Sequence, residues 1–323
     1  MDEALQVEYQ LQLHYPVVCV VGPTASGKSE LAQRLAECMS GEIVSADSMQ
    51  IYRGMDIGTG KVLPDEIRVP HHGLDIVDPG VPFSAALFQT YARDCFKEID
   101  ARGARSILCG GTGFYVRAAI DDYRFPAGEQ VDNPIRDRYM AFLEEFGAQA
   151  LWQTLYELDP ESAKAVHPNN SRRVIRALEL YEEGESYAYQ RAHLSSIPQF
   201  VPAVFLGLEI DPIVLKNRID KRVDAMIESG LIEEVQTLLD KGFRSGITAP
   251  QAIGYKEIVA LLDGDISLDE AIVQIKIATH RYAKRQRSWF RHDKRIQWIK
   301  ADEGVNDIVL QSALEIANCD VNR

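Results

Sequence analysis

Apolar residues along this chain follow two distinct patterns. Residues 16–21 (Pro-Val-Val-Cys-Val-Val) form a short unbroken apolar run, the pattern of a strand buried on both faces of a parallel sheet. A glycine-bearing turn follows, and residues 29–39 then carry Leu31, Leu35 and Met39 at helical spacing. Residues 42–46 (Glu-Ile-Val-Ser-Ala) predict the next strand, with Asp47 at its carboxyl end. Residues 106–109 (Ser-Ile-Leu-Cys) predict another, running into Gly110-Gly111-Thr112-Gly113. Strand, helix and strand in short succession predict βαβ units with right-handed crossovers. Ligands of such sheets sit beyond the carboxyl ends of the strands. Loops 22–29, 47–50 and 110–113 are therefore expected to share one crevice.

Past Ile120 the pattern changes. Residues 121–130 hold Pro126 and Gly128, and Asn133-Pro134 marks a further break. From 135 to about 190 the apolar positions keep helical spacing without a strand-like run, and the stretch closes at Pro198 and Pro202. Residues 204–210 (Val-Phe-Leu-Gly-Leu-Glu-Ile) return to a strand signal. Asp211-Pro212 then offers a cap and a first-turn proline for a long helix. A further helix is expected over about 268–290, and 295–300 fits a late strand. The expected fold is α/β: a P-loop NTPase-like parallel sheet core with C-terminal helices, residues 1–121 and 201–323, and a helical insertion domain over 122–200.

Composition narrows the picture. Hydrophobic residues at 46% and charged residues at 26% exclude a disordered or fibrous chain. With 48 acidic against 35 basic side chains the net charge is −13. That excludes a uniformly basic nucleic-acid coat but leaves room for a local basic face. The five cysteines (Cys19, Cys38, Cys95, Cys109, Cys319) are scattered and free of C-x-x-C spacing. Such usage fits a reducing cytosol rather than a disulfide framework or a zinc site. Met1-Asp2-Glu3 is an acidic start, and no apolar run approaches a membrane span. A soluble, cytoplasmic protein without signal peptide or anchor is expected.

Gly22-Pro23-Thr24-Ala25-Ser26-Gly27-Lys28-Ser29 fits G-x-x-x-x-G-K-[ST] at every fixed position, after a strand and before a helix. Its glycines let backbone N–H groups close around phosphate oxygens at the positive end of a helix. Lys28 adds a point charge, and the Ser29 hydroxyl is a natural Mg²⁺ ligand. The motif predicts a diphosphate-type ligand without saying which one. A switch-type NTPase would carry an apolar strand ending in Asp; here the strand over 106–109 ends in Gly-Gly-Thr, and no Asn-Lys-x-Asp guanine reader occurs. Asp47 is the carboxylate that reaches the crevice, where organising metal-bound water, capping a helix and acting as a base all suit it. On spacing alone Thr112 suits a helix cap after a Gly turn. His71 and His72 lack partners at metal spacing and fit ordinary hydrogen-bonding roles. Cys19 and Cys109, in predicted strands, fit packing.

Several ordered blocks together resemble the bacterial tRNA dimethylallyltransferases, also called tRNA isopentenyltransferases. They are the motif at 22–29, Asp-Ser-Met-Gln-Ile-Tyr-Arg-Gly-Met-Asp-Ile-Gly-Thr-Gly-Lys at 47–61, Pro70-His71-His72 with Asp75-Ile76, and Gly-Gly-Thr-Gly-Phe-Tyr at 110–115. Asn170-Ser171-Arg172-Arg173 continuing to Arg176, Arg218-x-x-x-Arg222-Val-Asp, Ala252-Ile253-Gly254-Tyr255-Lys256 and Tyr282-Ala283-Lys284-Arg285-Gln286 complete the set. Gly60 stands where that family often has Ala. The chain after Arg295 holds only Cys319, without the zinc-finger extension of eukaryotic relatives, which favours the bacterial branch.

The resemblance implies transfer of a dimethylallyl group from dimethylallyl diphosphate to N6 of adenosine 37 in the tRNA anticodon loop, with pyrophosphate leaving. Residues Gly22 to Ser29 would then cradle a departing diphosphate, with Mg²⁺ at Ser29. Arg222, or Arg218 one turn away, would add a guanidinium to that charge. Asp47 would take the proton from N6, and Thr112 would hydrogen-bond near the reacting centre. Contacts to tRNA are implied for Asp47, Ser48, Met49, Gln50, Thr112, Arg136, Arg172, Arg173, Arg176, Gln251, Gly254, Lys256, Lys284 and Arg285. Of these, Ser48, Met49 and Gln50 are placed to read a flipped adenine and a neighbour. Phe114 and Tyr115 fit either an apolar channel for the donor or core packing.

An acidic protein binds a polyanion only if its cations are segregated. Lys276, Arg281, Lys284, Arg285, Arg287, Arg291, Lys294 and Arg295 stand against Asp293 alone, a basic ridge if helical; a solvated face is the plainer reading. Trp289 and Phe290 are expected in the core. For Arg172 and Arg176, pairing with Glu179 or Glu183 is the plainer alternative to tRNA. The insertion would clamp the anticodon stem, closing as tRNA arrives, and a monomer suffices for one anticodon arm. Two rivals remain at this point: a small-molecule kinase or adenylate prenyltransferase using the same loop, and a noncatalytic RNA-binding module with a vestigial loop.

Overall fold

The computed structural model describes residues 10–123, 125, 133–194, 197–246 and 248–319. Pro126 and Gly128, expected at the start of the insertion, and the side chain of Cys319 lie outside the described residues. The chain divides into two compact units, Met1–Tyr123 with Gln199–Arg323, and Arg124–Pro198.

The first unit begins with β1 (Val17–Val21), α1 (Lys28–Met39), β2 (Gly41–Ser45), β3 (His71–His72), α2 (Ala85–Ala101), β4 (Arg105–Gly110) and α3 (Gly113–Ile120). The second unit is helical: α4 (Pro134–Leu158), α5 (Pro160–Ala165), α6 (Ser171–Glu182) and α7 (Tyr187–His193). The first unit then resumes with β5 (Ala203–Glu209), α8 (Pro212–Glu228), α9 (Leu231–Asp240), α10 (Tyr255–Leu262), α11 (Leu268–Arg291), β6 (Ile296–Lys300) and α12 (Asp307–Cys319). Its sheet has six strands, all parallel, in the order β3-β2-β4-β1-β5-β6.

The unbroken apolar run of β1 is explained by its place at the middle of this sheet. Val18 and Val20 join Leu31 and Leu35 of α1 and Ala313 and Ala317 of α12 on one face. Val17, Cys19 and Val21 join Phe88 and Phe96 of α2 and Ala119 of α3 on the other. With both faces covered, none of the five β1 residues keeps exposed surface, so no polar alternation is possible. Burial pushes the Cys19 thiol well above its usual range, and Cys19 packs as an apolar group. A third core, under residues 49–77 and α8–α11, gathers Tyr52, Met55, Leu231, Phe243 and Tyr255. Asp211 caps α8 as expected, accepting from the Ile213 and Val214 amides with Pro212 in the first turn.

Two local features depart from the sequence pattern. Phe290 is buried, but Trp289 keeps 42% of its surface exposed, because its indole lies over the start of α3 at Gly113 rather than under the sheet. β3, only His71–His72, adds a strand at the sheet edge that the pattern does not announce. There His71 Nδ1 bonds the Val69 carbonyl, and His72 pairs with Glu42 at 2.7 Å.

The inserted segment leaves and rejoins the first unit at one place. Phe200 and Val201 donate backbone N–H groups to the Ile120 carbonyl at 2.9 and 3.0 Å, and Asp121 bridges antiparallel to Gln199. These bonds keep 121–123 and 199–200 with the sheet, so the junctions fall a little inside the expected 122–200. Asp121 is fully buried and pairs with Arg117 at 2.7 Å and Arg295 at 2.6 Å. Arg295 also pairs with Asp293 and lies over the Phe205 ring. This corrects its expected place on a basic ridge: it is half-buried and neutralised by two carboxylates.

The helical unit has its own core of Tyr139, Leu151, Leu155, Val174 and Leu178. Fully buried Glu179 accepts from Arg136 Nε at 2.6 Å and Arg176 Nη1 at 2.9 Å. Among the described residues no helix is long and apolar enough to cross a membrane.

Removing the buried carboxylate that serves two guanidinium groups is costly. Asp121→Ala is expected to lower the unfolding free energy by about 3–5 kcal/mol, read from the urea midpoint at unchanged slope. A loss below about 1 kcal/mol, the range of an exposed pair, would contradict this account.

Candidate active site

A cavity of about 540 Å³ opens beyond the carboxyl ends of β1, β2 and β4. Thr24, Ala25, Ser26, Gly27, Lys28 and Ser29 line it, as do Asp47, Ser48, Met49 and Gln50, Gly110 and Gly111, and Arg222 from α8. Gly22 and Pro23 support the first loop from behind. The Pro23 carbonyl accepts from Lys28 Nζ at 2.6 Å. Ser26 is fully buried, and its Oγ has no hydrogen-bond partner among the described residues. An unsatisfied buried hydroxyl costs about 1–3 kcal/mol, which an anion seated in the loop would relieve.

Lys28 keeps some solvent contact but sits deep in this concave surface. Burial lowers its pKa to about 8; nearby Cys109 and Asp47 oppose the shift, and Arg222 adds to it. The Cys109 thiol is itself pushed up to about 11 by burial, so it stays neutral beneath the ammonium. Arg222 is also held below its usual range by burial, with Asp47 opposing. Its Nη2 donates to the Thr59 carbonyl at 3.2 Å. Arg218 does not share the site. It lies one turn nearer the start of α8 and donates to the carbonyls of Ala301 and Asp302 at 3.2 and 2.6 Å. Gly60 explains the close approach of Arg222. A Cβ at this residue (φ 62°) would stand 1.9 Å from Arg222 Nη2, so Gly60 leaves the guanidinium its present seat.

Asp47 lines the cavity with one oxygen engaged: Oδ1 accepts from the Met49 amide at 2.9 Å. Thr112 stands at the N-cap position of α3 but makes no side-chain cap bond. Its Oγ1 instead accepts from the Ser48 amide at 3.0 Å and lies 3.3 Å from Ser48 Oγ. Thr112 therefore ties the β4 loop to the turn that carries Asp47. Gln50 forms wall rather than a free reader: its Oε1 accepts from Ser45 Oγ at 2.9 Å, and its Nε2 faces the carbonyls of Thr59 and Gly60.

Gln251, Gly254 and Arg285 line the same cavity. Lys256 lies outside it, beside Glu257 at 3.5 Å. Lys284 is exposed on α11. The expected ridge is thinner than its charge count, since Lys276 pairs with Asp224 and Arg291 with Glu209. In the helical unit Arg172 and Arg173 are exposed, whereas Arg136 and Arg176 are held by Glu179. Tyr115 stacks on Phe88 at 4.2 Å and Phe114 meets Tyr123 edge-on; both pack rather than line the cavity.

Sequence reasoning missed Gln286, whose amide reaches two of the lining loops from α11. Its sequence signal was its place at the end of the 282–286 block, four residues after Tyr282, which also lines the cavity. It missed Glu234 as well. This carboxylate accepts from the amides of Asp56, Ile57 and Gly58 and from Tyr255 Oη, fixing the loop that holds Arg222.

Ser29 presents an exposed hydroxyl at the first turn of α1. Among the described residues no cluster of three His, Cys, Asp or Glu side chains could hold a metal ion. The donor set fits a hard cation taking one protein oxygen and completing its shell with phosphate oxygens and water, the habit of Mg²⁺.

Residues 50–293 match the family model described as IPP transferase, and residues 15–71 match one described as isopentenyl transferase. The chain belongs to the IPP transferase family. It is 50% identical over 285 residues to a tRNA dimethylallyltransferase of Geobacillus thermodenitrificans, covering 87% of this chain and 89% of that one. A second, from Carboxydothermus hydrogenoformans, is 49% identical over 286 residues, with coverage of 87% and 91%. Among solved structures it is similar to a tRNA isopentenylpyrophosphate transferase of Bacillus halodurans, with 42% identity, a TM-score of 0.68 and coverage of 95% and 96%. It is also similar to a eukaryotic dimethylallyltransferase acting on tRNA, at 29% identity and a TM-score of 0.80, covering 95% of this chain and 80% of that one. The family thus shares the parallel-sheet core.

The lowered pKa of Lys28 gives a pH prediction. Pyrophosphate favours the charged ammonium, so binding near pH 8 should draw a proton onto Lys28, and its contribution should fade as pH rises through about 8. Calorimetry in buffers of different ionisation heat should show greater proton uptake for wild type than for Lys28→Met. The wild-type affinity advantage should shrink between pH 7 and 9; a constant advantage would contradict the assignment.

Proposed function

We propose that this chain transfers a dimethylallyl group from dimethylallyl diphosphate to N6 of adenosine 37 in the anticodon loop of tRNA, releasing pyrophosphate. The observation that carries the reading is that one cavity holds both an anion cradle with Lys28 and Arg222 and, across it, the carboxylate of Asp47.

The chemistry needs both ends. As the allylic C–O bond lengthens, negative charge grows on the bridging oxygen. The amides of the 22–29 loop, Ser26 Oγ, Lys28 and Arg222 are fixed before reaction and stabilise that charge without reorganising. An exocyclic adenine amine is a poor nucleophile, because its lone pair is delocalised into the ring. Asp47 takes the N6 proton as the C–N bond forms, a general-base effect of about 10²–10⁴-fold, or roughly 3–5 kcal/mol. Thr112 holds the turn that aims Asp47. Ser29 would hold Mg²⁺, which would supply further neutralisation of the leaving group.

On the tRNA side, Ser48, Met49, Gln251, Gly254 and Arg285 surround the flipped base, and Gln50 backs them. Lys256, Lys284, Arg172 and Arg173 meet phosphates, with Arg136 and Arg176 holding the helix that presents Arg172 and Arg173. In this reading the helical unit clamps the anticodon stem, a monomer suffices, and a tRNA substrate places the enzyme in the cytoplasm. Unchanged interdomain distances on tRNA binding, read by solution scattering, would sink closure of the clamp.

Nucleoside mass spectrometry of unmodified tRNA, incubated with the protein, Mg²⁺ and dimethylallyl diphosphate, tests the reaction. A dimethylallyl mass gain on adenosine 37, absent with Asp47→Ala, is expected. Prenylation of free AMP without tRNA would move the chain to a small-molecule prenyltransferase. Asp47→Ala should lower kcat by about 10²–10⁴-fold with tRNA affinity nearly unchanged. Arg172→Ala should do the reverse, weakening tRNA binding and reducing its salt slope by about one. Equal losses in both assays for both variants would mean the roles are misassigned.

A further inference from the structure

Gln286 is 95% shielded on α11, and besides meeting Tyr282 one turn back on the same helix its amide reaches two loops remote in sequence. Its Oε1 accepts from the Thr24 amide at 2.8 Å, and its Nε2 donates to the Gly111 carbonyl at 2.9 Å. Thr24 belongs to the loop after β1 and Gly111 to the loop after β4, so one side chain joins the ends of two strands. The packing admits little else. A Cβ on Gly111 would stand 2.2 Å from Gln286 Nε2, and one on Gly110 would stand 2.2 Å from the Ala46 carbonyl. From Gly111 the chain of bonds continues. The Thr112 amide donates to the Ala46 carbonyl at 3.2 Å, Thr112 Oγ1 accepts from the Ser48 amide, and the Met49 amide holds Asp47 Oδ1.

Resting on the proposed function above, we infer that Gln286 is a positioning residue that fixes the separation between the diphosphate cradle and the turn carrying Asp47. An amide suits the place because it offers a trigonal acceptor and a donor side by side without depending on a proton equilibrium. A carboxylate reproduces the acceptor toward Thr24 but turns an oxygen lone pair against the Gly111 carbonyl. Protonated, it can donate there and restore the bridge. An apolar isostere loses both bonds. Substrate alignment is sensitive at this scale, since about 1 Å of misplacement can cost on the order of 10²-fold in rate.

The test uses full-length protein, tRNA and dimethylallyl diphosphate. Gln286→Leu is expected to lower kcat by about 10²-fold; a kcat within about twofold of wild type would overturn the inference. Gln286→Glu keeps the size of the side chain and supplies the deciding readout should the leucine variant fail to fold. Its kcat relative to wild type is expected to rise about tenfold as pH falls from 8.5 to 6, as the buried carboxyl takes up its proton. Taking the ratio cancels the titrations of Lys28, Asp47 and Tyr282, which face the same space and are common to both proteins. A ratio independent of pH overturns the inference whatever the leucine variant does. If wild type transfers nothing to tRNA, the proposed function fails but the bridge can still be judged by pyrophosphate titration. Gln286→Leu should then bind about tenfold more weakly, because the Thr24 amide loses its anchor; equal affinity would overturn the bridge.

Discussion

In a parallel sheet every strand reaches the same edge pointing the same way, and neighbouring strands stand about 4.8 Å apart. Because β2, β4 and β1 are adjacent in that order, the Asp47 turn, the Gly110–Thr112 turn and the 22–29 loop emerge side by side. The cavity follows from this register. Its floor comes from the sheet, and α8 and α11 close it with Arg222, Arg285 and Gln286. The apolar interior of the strands keeps the scaffold stiff, while the polar chemistry is confined to the residues just past their ends.

Charge is handled by the same separation of tasks. A chain with a net charge of −13 cannot rely on its overall field to attract an anion. Many of its arginines are held by carboxylates, and some of these pairs lie in the interior, as with Asp121 and Glu179. The cations near the cavity differ in kind. Lys28 and Arg222 are desolvated without a carboxylate salt bridge among the described residues, so a diphosphate beside them would turn an unfavourable burial into a favourable one. A charge run in sequence therefore says little until its partners are known, as Lys276, Arg291 and Arg295 show.

What was legible in the sequence was what local physics fixes. β1, β2, β4 and β5 are apolar because both faces are covered, and the 22–29 motif is a backbone shape with few sequence solutions. Asp47 could be placed because it directly follows a recognisable strand. Less legible were elements whose identity depends on distant chain. α2 has a buried face of Phe88, Ala92, Cys95, Phe96 and Ile99, yet nothing near it marks a site, and β3 is two residues long. The choice between Arg218 and Arg222, one turn apart on the same side of α8, turned on which turn of the helix meets the cavity. Thr112 took a role different from the cap its position allows, because the Ser48 amide, remote in sequence, lies within reach. The bridging role of Gln286 was hidden for the same reason, since Thr24 and Gly111 lie more than 170 residues away.

The pinched neck where Phe200 and Val201 bind the Ile120 carbonyl has a consequence for how this architecture can change. With its two ends stitched together by the core's own backbone, the helical segment is to the sheet simply a closed loop. The entropy of closing such a loop grows only with the logarithm of its length, by about 0.6 kcal/mol per doubling. Lengthening, shortening or exchanging that segment thus leaves the folding of the sheet nearly untouched. The helical segment can vary as a cassette, while the sheet that carries the cavity stays fixed.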